Sequence, residues 1–313
     1  MHDVITIDCN YIDKGVAASF LLPQKNHSIL IESNTGFAAE IISNEIQKQK
    51  LKVEDIRYLI VTHIHLDHAA GSGHLMDLFP NAELICHPAA ERHLKNPERL
   101  IRSAKMVYGE ERFNALYGDI IPVDEKRIRV VEDRSFIDAG SRRLTFYHTE
   151  GHARHHICIH DSLSNGVFTG DSFGLVYPLL QKNGLMIYPA TTAIDFDPDE
   201  ARKSIDTILA TGADRLYLTH FGKLENIKDA KKELLLGLDF AEDTLNRAFQ
   251  SEMDDQGIQD FCYKEFSNYI EGYLNRLGLK LSEYERKILD IDIEINAGGI
   301  AYAAIKKRKK SAK

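Results

Sequence analysis

The chain has 313 residues, 43% of them hydrophobic and 27% charged, which is enough apolar material for one large domain or a domain with an appendage, and too much for a disordered chain. Thirty-nine Lys and Arg against 47 Asp and Glu leave a formal charge of -8, which disfavours a nucleic-acid binder whose affinity comes from a basic face. No apolar run approaches the roughly 18 residues of a membrane span, and the start Met1-His2-Asp3-Val4 lacks the basic-then-apolar order of a secretory signal, so the chain reads as cytoplasmic, with no membrane span.

In chain order, Val4 to Asp8, Ala17 to Leu22 and Ser28 to Ile31 are short apolar runs between turn signals and predict an antiparallel start to a sheet. Ala38 to Gln49 carries Ile41, Ile42 and Ile46 at helical spacing, and Tyr58 to Val61 is a buried strand that stops at Thr62-His63. Glu83 to Cys86 predicts another strand. Ala89 to Tyr117 follows as a helical insertion punctuated by Pro97 and Gly109. Strands are expected at Arg127 to Val131, Arg142 to Tyr147, Ile157 to His160, Val167 to Thr169 and Leu216 to Thr219, with a helix at Pro198 to Ala210.

From Ile227 the pattern changes to long helical stripes, Leu234, Leu238 and Leu245 and then Phe261, Tyr269 and Tyr273. Leu289 to Ile295 alternates apolar and acidic residues, a strand pattern inside helical surroundings. Residues 1–225 are therefore expected to form a catalytic domain and 226–305 a helical subdomain. The cation-rich 306–313 reads as a solvated basic tail without a partner. Such stripes need an apolar surface to cover, so the helical region is expected to close over a cleft and to offer a homodimer contact, or else to pack as a stabilising buttress away from the site. Cys9, Cys86, Cys158 and Cys262 lie far apart with no Cys-x-x-Cys pair and read as reduced, packed thiols.

The segment Thr62-His63-Ile64-His65-Leu66-Asp67-His68 places four candidate metal ligands directly after a strand. A loop at a strand end can turn them onto one point, whereas a helix would spread them around its circumference. Three imidazoles and a carboxylate suit zinc, with iron or manganese as alternatives.

This segment resembles the signature of the metallo-β-lactamase fold superfamily, His-x-His-x-Asp-His, and the later motifs follow in order. His152 stands in Thr149-Glu150-Gly151-His152, Asp171 in Phe168-Thr169-Gly170-Asp171, and His220 in Leu218-Thr219-His220-Phe221-Gly222. The resemblance spans roughly residues 1–225 and implies an α/β fold, an αββα sandwich with a C-terminal helical subdomain. It further implies two divalent ions: His63, His65 and His152 on one, Asp67, His68 and His220 on the other, and Asp171 between them. A hydroxide shared by metals about 3.5 to 4 Å apart would then be the nucleophile, with Asp67 orienting it or accepting a proton.

The expected activity is hydrolysis of a small-molecule ester, thioester or lactone. The same fold also hosts diiron proteins that bind or reduce oxygen or nitric oxide, and phosphodiesterases. Flavodiiron-type proteins usually carry Glu at the position of His65, and the net charge disfavours a nuclease. Glyoxalase II resembles this chain in having C-terminal helices, but its glutathione-binding Lys and Tyr have no counterpart at Leu180 and Lys182, so glutathione thioesters are not expected. Glu150 stands where the superfamily usually has proline, and Glu32 where an Asp often supports the site. His156 is expected to support the ligands, whereas His74, His87 and His155 read as ordinary surface or core histidines. Tyr108, Tyr177 and Tyr188 are candidate proton donors that more often simply pack.

Overall fold

The computed structural model describes residues 4–192 and 194–311. The chain divides into two compact units, one running up to His148 and including His155–Gly170 and Ile208–Glu225, the other formed by Thr149–Arg154, Asp171–Thr207 and the chain from Asn226 onward. The second unit thus takes two pieces from the middle of the chain in addition to the C-terminal region.

The first unit is a sandwich of two six-stranded sheets. One sheet is built in sequence order from β1 (Ile5–Asp8), β2 (Ala18–Pro23), β3 (Ser28–Ile31), β4 (Ile56–Ile60), β5 (Glu83–Cys86) and β6 (Ile128–Val130). Its first pairings are antiparallel, and those from β3 to β6 are parallel. The other contains β7 (Phe136–Ala139), β8 (Arg142–His148), β9 (Ile157–Asp161), β10 (Gly166–Gly170), β11 (Arg215–Leu218) and β12 (Gly222–Leu224), with β10 and β11 parallel.

Period-2 alternation assigns the faces. Phe20, Ile29, Ile31 and Ile60 meet Phe146, Ile159, Phe168 and Tyr217 in a core shared by the two sheets. Leu21, Leu30, Leu59 and Leu84 point the other way, against Ile42 and Ile46 of α1 (Ala38–Lys48). Because both faces of β3 and of the end of β4 are buried, Ile29 to Ile31 and Leu59 to Val61 read as apolar runs. The polar residues that end them therefore stand out.

The ligand segment is half loop and half helix. Thr62 to His65 is irregular, but Asp67 and His68 belong to the short α2 (Leu66–Ala69), followed by α3 (Ser72–Leu78). The insertion forms α4 (Glu91–Lys95), α5 (Glu98–Tyr108) and α6 (Glu110–Tyr117), whose Phe113 and Tyr117 pack with Leu66 and Ala70.

The second unit contains most of α7 (Pro198–Ala210) and three long helices, α8 (Ile227–Gln250), α9 (Asp255–Leu277) and α10 (Glu283–Ser311). Leu289 to Ile295 is helical and not a strand. The alternation is real, but Leu289, Ile293, Ala297 and Ile300 also repeat at helical spacing, and burial of that stripe decides the conformation. Large aromatic residues of the helical stripes pack within this unit. Phe266 and Tyr269 on α9 pack with Phe240 on α8, and Phe266 also meets Tyr188 from the 171–192 segment of the same unit.

The basic residues near the C-terminus also differ from a frayed tail. Residues 306–311 continue α10, and the Arg308 guanidinium donates to the carbonyls of Ala248, Phe249, Ser251 and Met253, satisfying the last turn of α8. Among the described residues no helix is long and apolar enough to cross a membrane. All four cysteines are buried thiols, and burial raises Cys9, Cys86 and Cys262 to about 12.

His87, just past β5, packs its ring 4.2 Å from that of His148, and burial followed by the neighbouring His148 pushes its pKa from 6.5 down to about 4. The folded state therefore refuses a proton that the unfolded chain accepts, so stability is complete above about pH 6.5 and is lost as pH falls toward 4. The loss is up to about 3 kcal/mol, reduced by the partial exposure of the ring. Urea unfolding at pH 7.5 and pH 5 should show a smaller acid loss in His87→Gln than in the wild type, by about 1 kcal/mol. An identical loss in both would show that His87 titrates normally.

Candidate metal centre

Three strand ends meet in the first unit. β3 runs into Glu32, β4 into Thr62 and His63, and β11 into Thr219 and His220. Glu32 is fully buried and adopts a left-handed backbone at φ 67°, a conformation that costs a non-glycine residue about 1 kcal/mol. That turn aims its carboxylate at four donors. Oε1 accepts from Thr62 Oγ1 at 2.5 Å, His68 Nδ1 at 2.9 Å and Thr219 Oγ1 at 3.1 Å, and Oε2 accepts from the Thr62 amide at 3.1 Å.

These bonds determine the protons on the imidazoles. A carboxylate only accepts, so His68 carries its proton on Nδ1. Thr62 gives its hydroxyl proton to Glu32, so its oxygen accepts from His63 Nδ1 at 3.0 Å. His220 Nδ1 donates to the Val16 carbonyl at 2.7 Å. In all three rings Nε2 is therefore the lone-pair nitrogen, the form a metal requires.

The three lone-pair atoms are directed at their neighbours. His220 Nε2 lies 3.3 Å from His68 Nε2 and 3.3 Å from Asp67 Oδ2, and His68 Nε2 lies 3.7 Å from the same oxygen. Asp67, His68 and His220 form a group whose ligand atoms lie within 4.8 Å of one another. Acceptors this close repel unless a cation or proton lies among them, so this donor set fits a divalent ion. His63 Nε2 meets His65 Nδ1 at 2.8 Å, a pair held by the same kind of shared cation or proton. The peptide carbonyl of Asp67 accepts from Asn34 Nδ2 at 2.9 Å, and that of His68 accepts from the amides of Ser33 and Asn34. These bonds tie α2 to the turn after β3.

The second unit carries the other two expected ligands. His152 is buried, its Nδ1 donates to the Ala190 carbonyl at 3.0 Å, and its Nε2 lies 3.4 Å from Asp171 Oδ2. The turn that holds it packs tightly on α7. A Cβ at Gly151, where φ is 109°, would collide with the backbone of Ala201, and the Glu150 carbonyl accepts from Ser204 Oγ at 2.6 Å. The amide of Asp197 donates to the Gly151 carbonyl. Glu150 in place of proline therefore leaves this turn intact.

Among the supporting histidines, His156 is buried with its ring 4.8 Å from that of His63, and His155 stacks parallel to His63 at 6.2 Å. His74 bonds the Asp119 carbonyl, away from the ligands. Tyr177 and Tyr188 donate their hydroxyls to the buried Asp292. Burial pushes the Tyr188 phenol well above its ordinary range, so it is a structural donor. The acceptors on Val16 and Ala190 could not be found in the sequence, because any residue supplies a carbonyl. Thr62 and Thr219 could have been, since each immediately precedes a candidate ligand histidine.

The fold belongs to one family. Residues 13–220 match the model of the metallo-beta-lactamase superfamily, and the chain is a member of it. Among curated relatives, it is 27% identical over 148 residues to a metallo-beta-lactamase fold-containing protein of Sulfurisphaera tokodaii, covering 46% of this chain and 53% of that one. It is 28% identical over 153 residues to the hydroxyacylglutathione hydrolase of Francisella tularensis subsp. novicida, covering 49% and 46%. The chain spans about half the length of these curated relatives. Two solved structures share the fold over nearly the whole length. One is an archaeal superfamily protein from Sulfolobus tokodaii (TM-score 0.66, 20% identity, 96% of this chain and 98% of that one), the other a family protein from Thermus thermophilus (0.66, 16%, 99% and 93%).

Glu32→Gln tests this network. The amide would set a donor against one of four donors, costing about 1–3 kcal/mol, and would loosen the tautomer of His68. The metal-free protein should melt at a lower temperature, and its zinc affinity in a competition titration should fall about 10- to 100-fold. Wild-type values for both would remove Glu32 from this role.

Proposed function

We propose that the chain is a dinuclear metal-dependent hydrolase of a small ester, thioester or lactone, with His63, His65 and His152 on one ion, Asp67, His68 and His220 on the other, and Asp171 between them. The observation that carries this reading is the set of Nδ1 contacts of His63 with Thr62, His68 with Glu32 and His220 with Val16, which turns each Nε2 toward the neighbouring candidate ligands. Family membership and the hydrolase named among the relatives support it. Zinc is the metal we favour on the imidazole and carboxylate donors, with iron or manganese next.

Bound ions supply Lewis acidity at the substrate oxygen and draw the pKa of water from about 15.7 toward about 7. The chain does the rest. Asp67 keeps its side chain 24% exposed while its backbone is tied down, so one carboxylate oxygen can orient a water or take up its proton as the tetrahedral intermediate collapses. Glutathione thioesters are not the substrates we favour. Leu180 is buried, and Lys182 is engaged by Glu285, whose carboxyl Lys182 and the Ser282 amide hold down at about 2.

Stripping with chelator and restoring with zinc, iron or manganese, followed by a panel of lactones, thioesters and phosphodiesters, tests the class. Restored cleavage of carbonyl substrates is expected. Turnover of phosphodiesters alone, or of oxygen or nitric oxide without hydrolysis, would overturn it.

Asp67→Asn should lower kcat by about 100-fold or more with a KM change of less than about threefold, because a proton acceptor is lost while carbonyl docking persists. A wild-type kcat with a raised KM would assign Asp67 to substrate binding instead.

A further inference from the structure

The donor to the Ala190 carbonyl is His152, and the segment that carries Ala190 is held by α10. Tyr188, two residues before Ala190, donates its hydroxyl to Asp292 Oδ2 at 2.7 Å, and Tyr177 donates to Oδ1 at 3.1 Å. Thr191, one residue after it, donates its amide to Asn296 Oδ1 at 2.8 Å and its hydroxyl to the Asn296 carbonyl at 2.8 Å. Asn296 Nδ2 in turn donates to the Asp292 carbonyl at 2.9 Å and its carboxylate at 3.2 Å, so the two α10 side chains form one network a single helical turn apart.

Tyr188, Thr191 and Asn296 are fully buried. At Gly299 a Cβ would collide with the Thr191 carbonyl, so α10 and the segment touch backbone to backbone. Ala190 is thus clamped on both sides while its own carbonyl is turned to His152. Burial of the five polar side chains Tyr177, Tyr188, Thr191, Asp292 and Asn296 serves packing poorly, since apolar residues of similar size would fill the same volume without desolvation. What the polar network adds is direction.

We propose that Asn296 and Asp292 are positioning residues for His152: by fixing Tyr188 and Thr191 they hold the Ala190 carbonyl where it keeps the His152 proton on Nδ1 and leaves Nε2 for the metal. The C-terminal helix thereby sets a ligand more than a hundred residues earlier in the chain. This rests on the reading of His152 as a ligand, but the tautomer is measurable without any metal.

The test is 15N NMR of the imidazoles in the full-length, metal-free protein, with the His152 signals assigned by their loss in His152→Asn. The wild type should show His152 protonated at Nδ1. Asn296→Leu should give a mixed His152 tautomer with the His220 signals unmoved, and a zinc affinity about 10- to 100-fold lower. Thr191→Val should act in the same direction and Thr191→Ser should restore the wild-type tautomer, which keeps the test decisive if Asn296→Leu does not fold. A folded Asn296→Leu or Thr191→Val protein with an unchanged His152 tautomer would overturn the proposal. A shifted tautomer in a protein that binds no zinc even as wild type would uphold the positioning and sink the metal reading.

Discussion

An imidazole can offer a metal only the nitrogen that lacks a proton, and this fold assigns that nitrogen before any ion arrives. Four histidines give their Nδ1 protons to acceptors fixed by the backbone or by a buried carboxylate: His63 to Thr62, His68 to Glu32, His152 to Ala190 and His220 to Val16. The cost is a set of lone pairs aimed at their neighbours and a buried Glu32 in a left-handed turn. Such strain concentrates where function requires it.

The sandwich explains how so many acceptors reach one place. Buried strands leave their polar residues at their ends, and the parallel order of β3 with β4 sends Glu32 and His63 out of the carboxyl ends of their strands, as β11 does His220. β3 and β11 turn polar immediately after their ends, at Glu32 and Thr219, and β4 does so after Val61, at Thr62. The register that buries Leu30 beside Leu59 is therefore also the register that brings Glu32 to Thr62. Packing and chemistry are specified by the same pairing.

Much of this was legible in the sequence, because the ligand motifs lie next to apolar runs whose period identifies strands. The sandwich, the candidate ligands of the first unit and the support from Glu32 follow from residues that can be seen in order. What stayed hidden was relational. The alternation of Leu289 to Ile295 is equally a strand pattern and part of a helical stripe, and only burial against α8 and α9 distinguishes them. Arg308 looks like one more tail cation until the end of α8 is placed beside it. The carbonyls of Val16 and Ala190 leave no mark in the sequence, since side-chain identity does not determine where a backbone acceptor points. The clamp of α10 on Thr191 depends on contacts more than a hundred residues apart, which periodicity does not report.

The proposed function requires that the imidazole nitrogens hold two ions per chain. Crystals of the protein loaded with zinc, with anomalous scattering collected on both sides of the zinc edge, test it most directly. Two anomalous peaks per chain are expected, with His63, His68, His152 and His220 ligating through Nε2. One peak or none in fully loaded protein, or ligation through Nδ1 at His68 or His220, would contradict it.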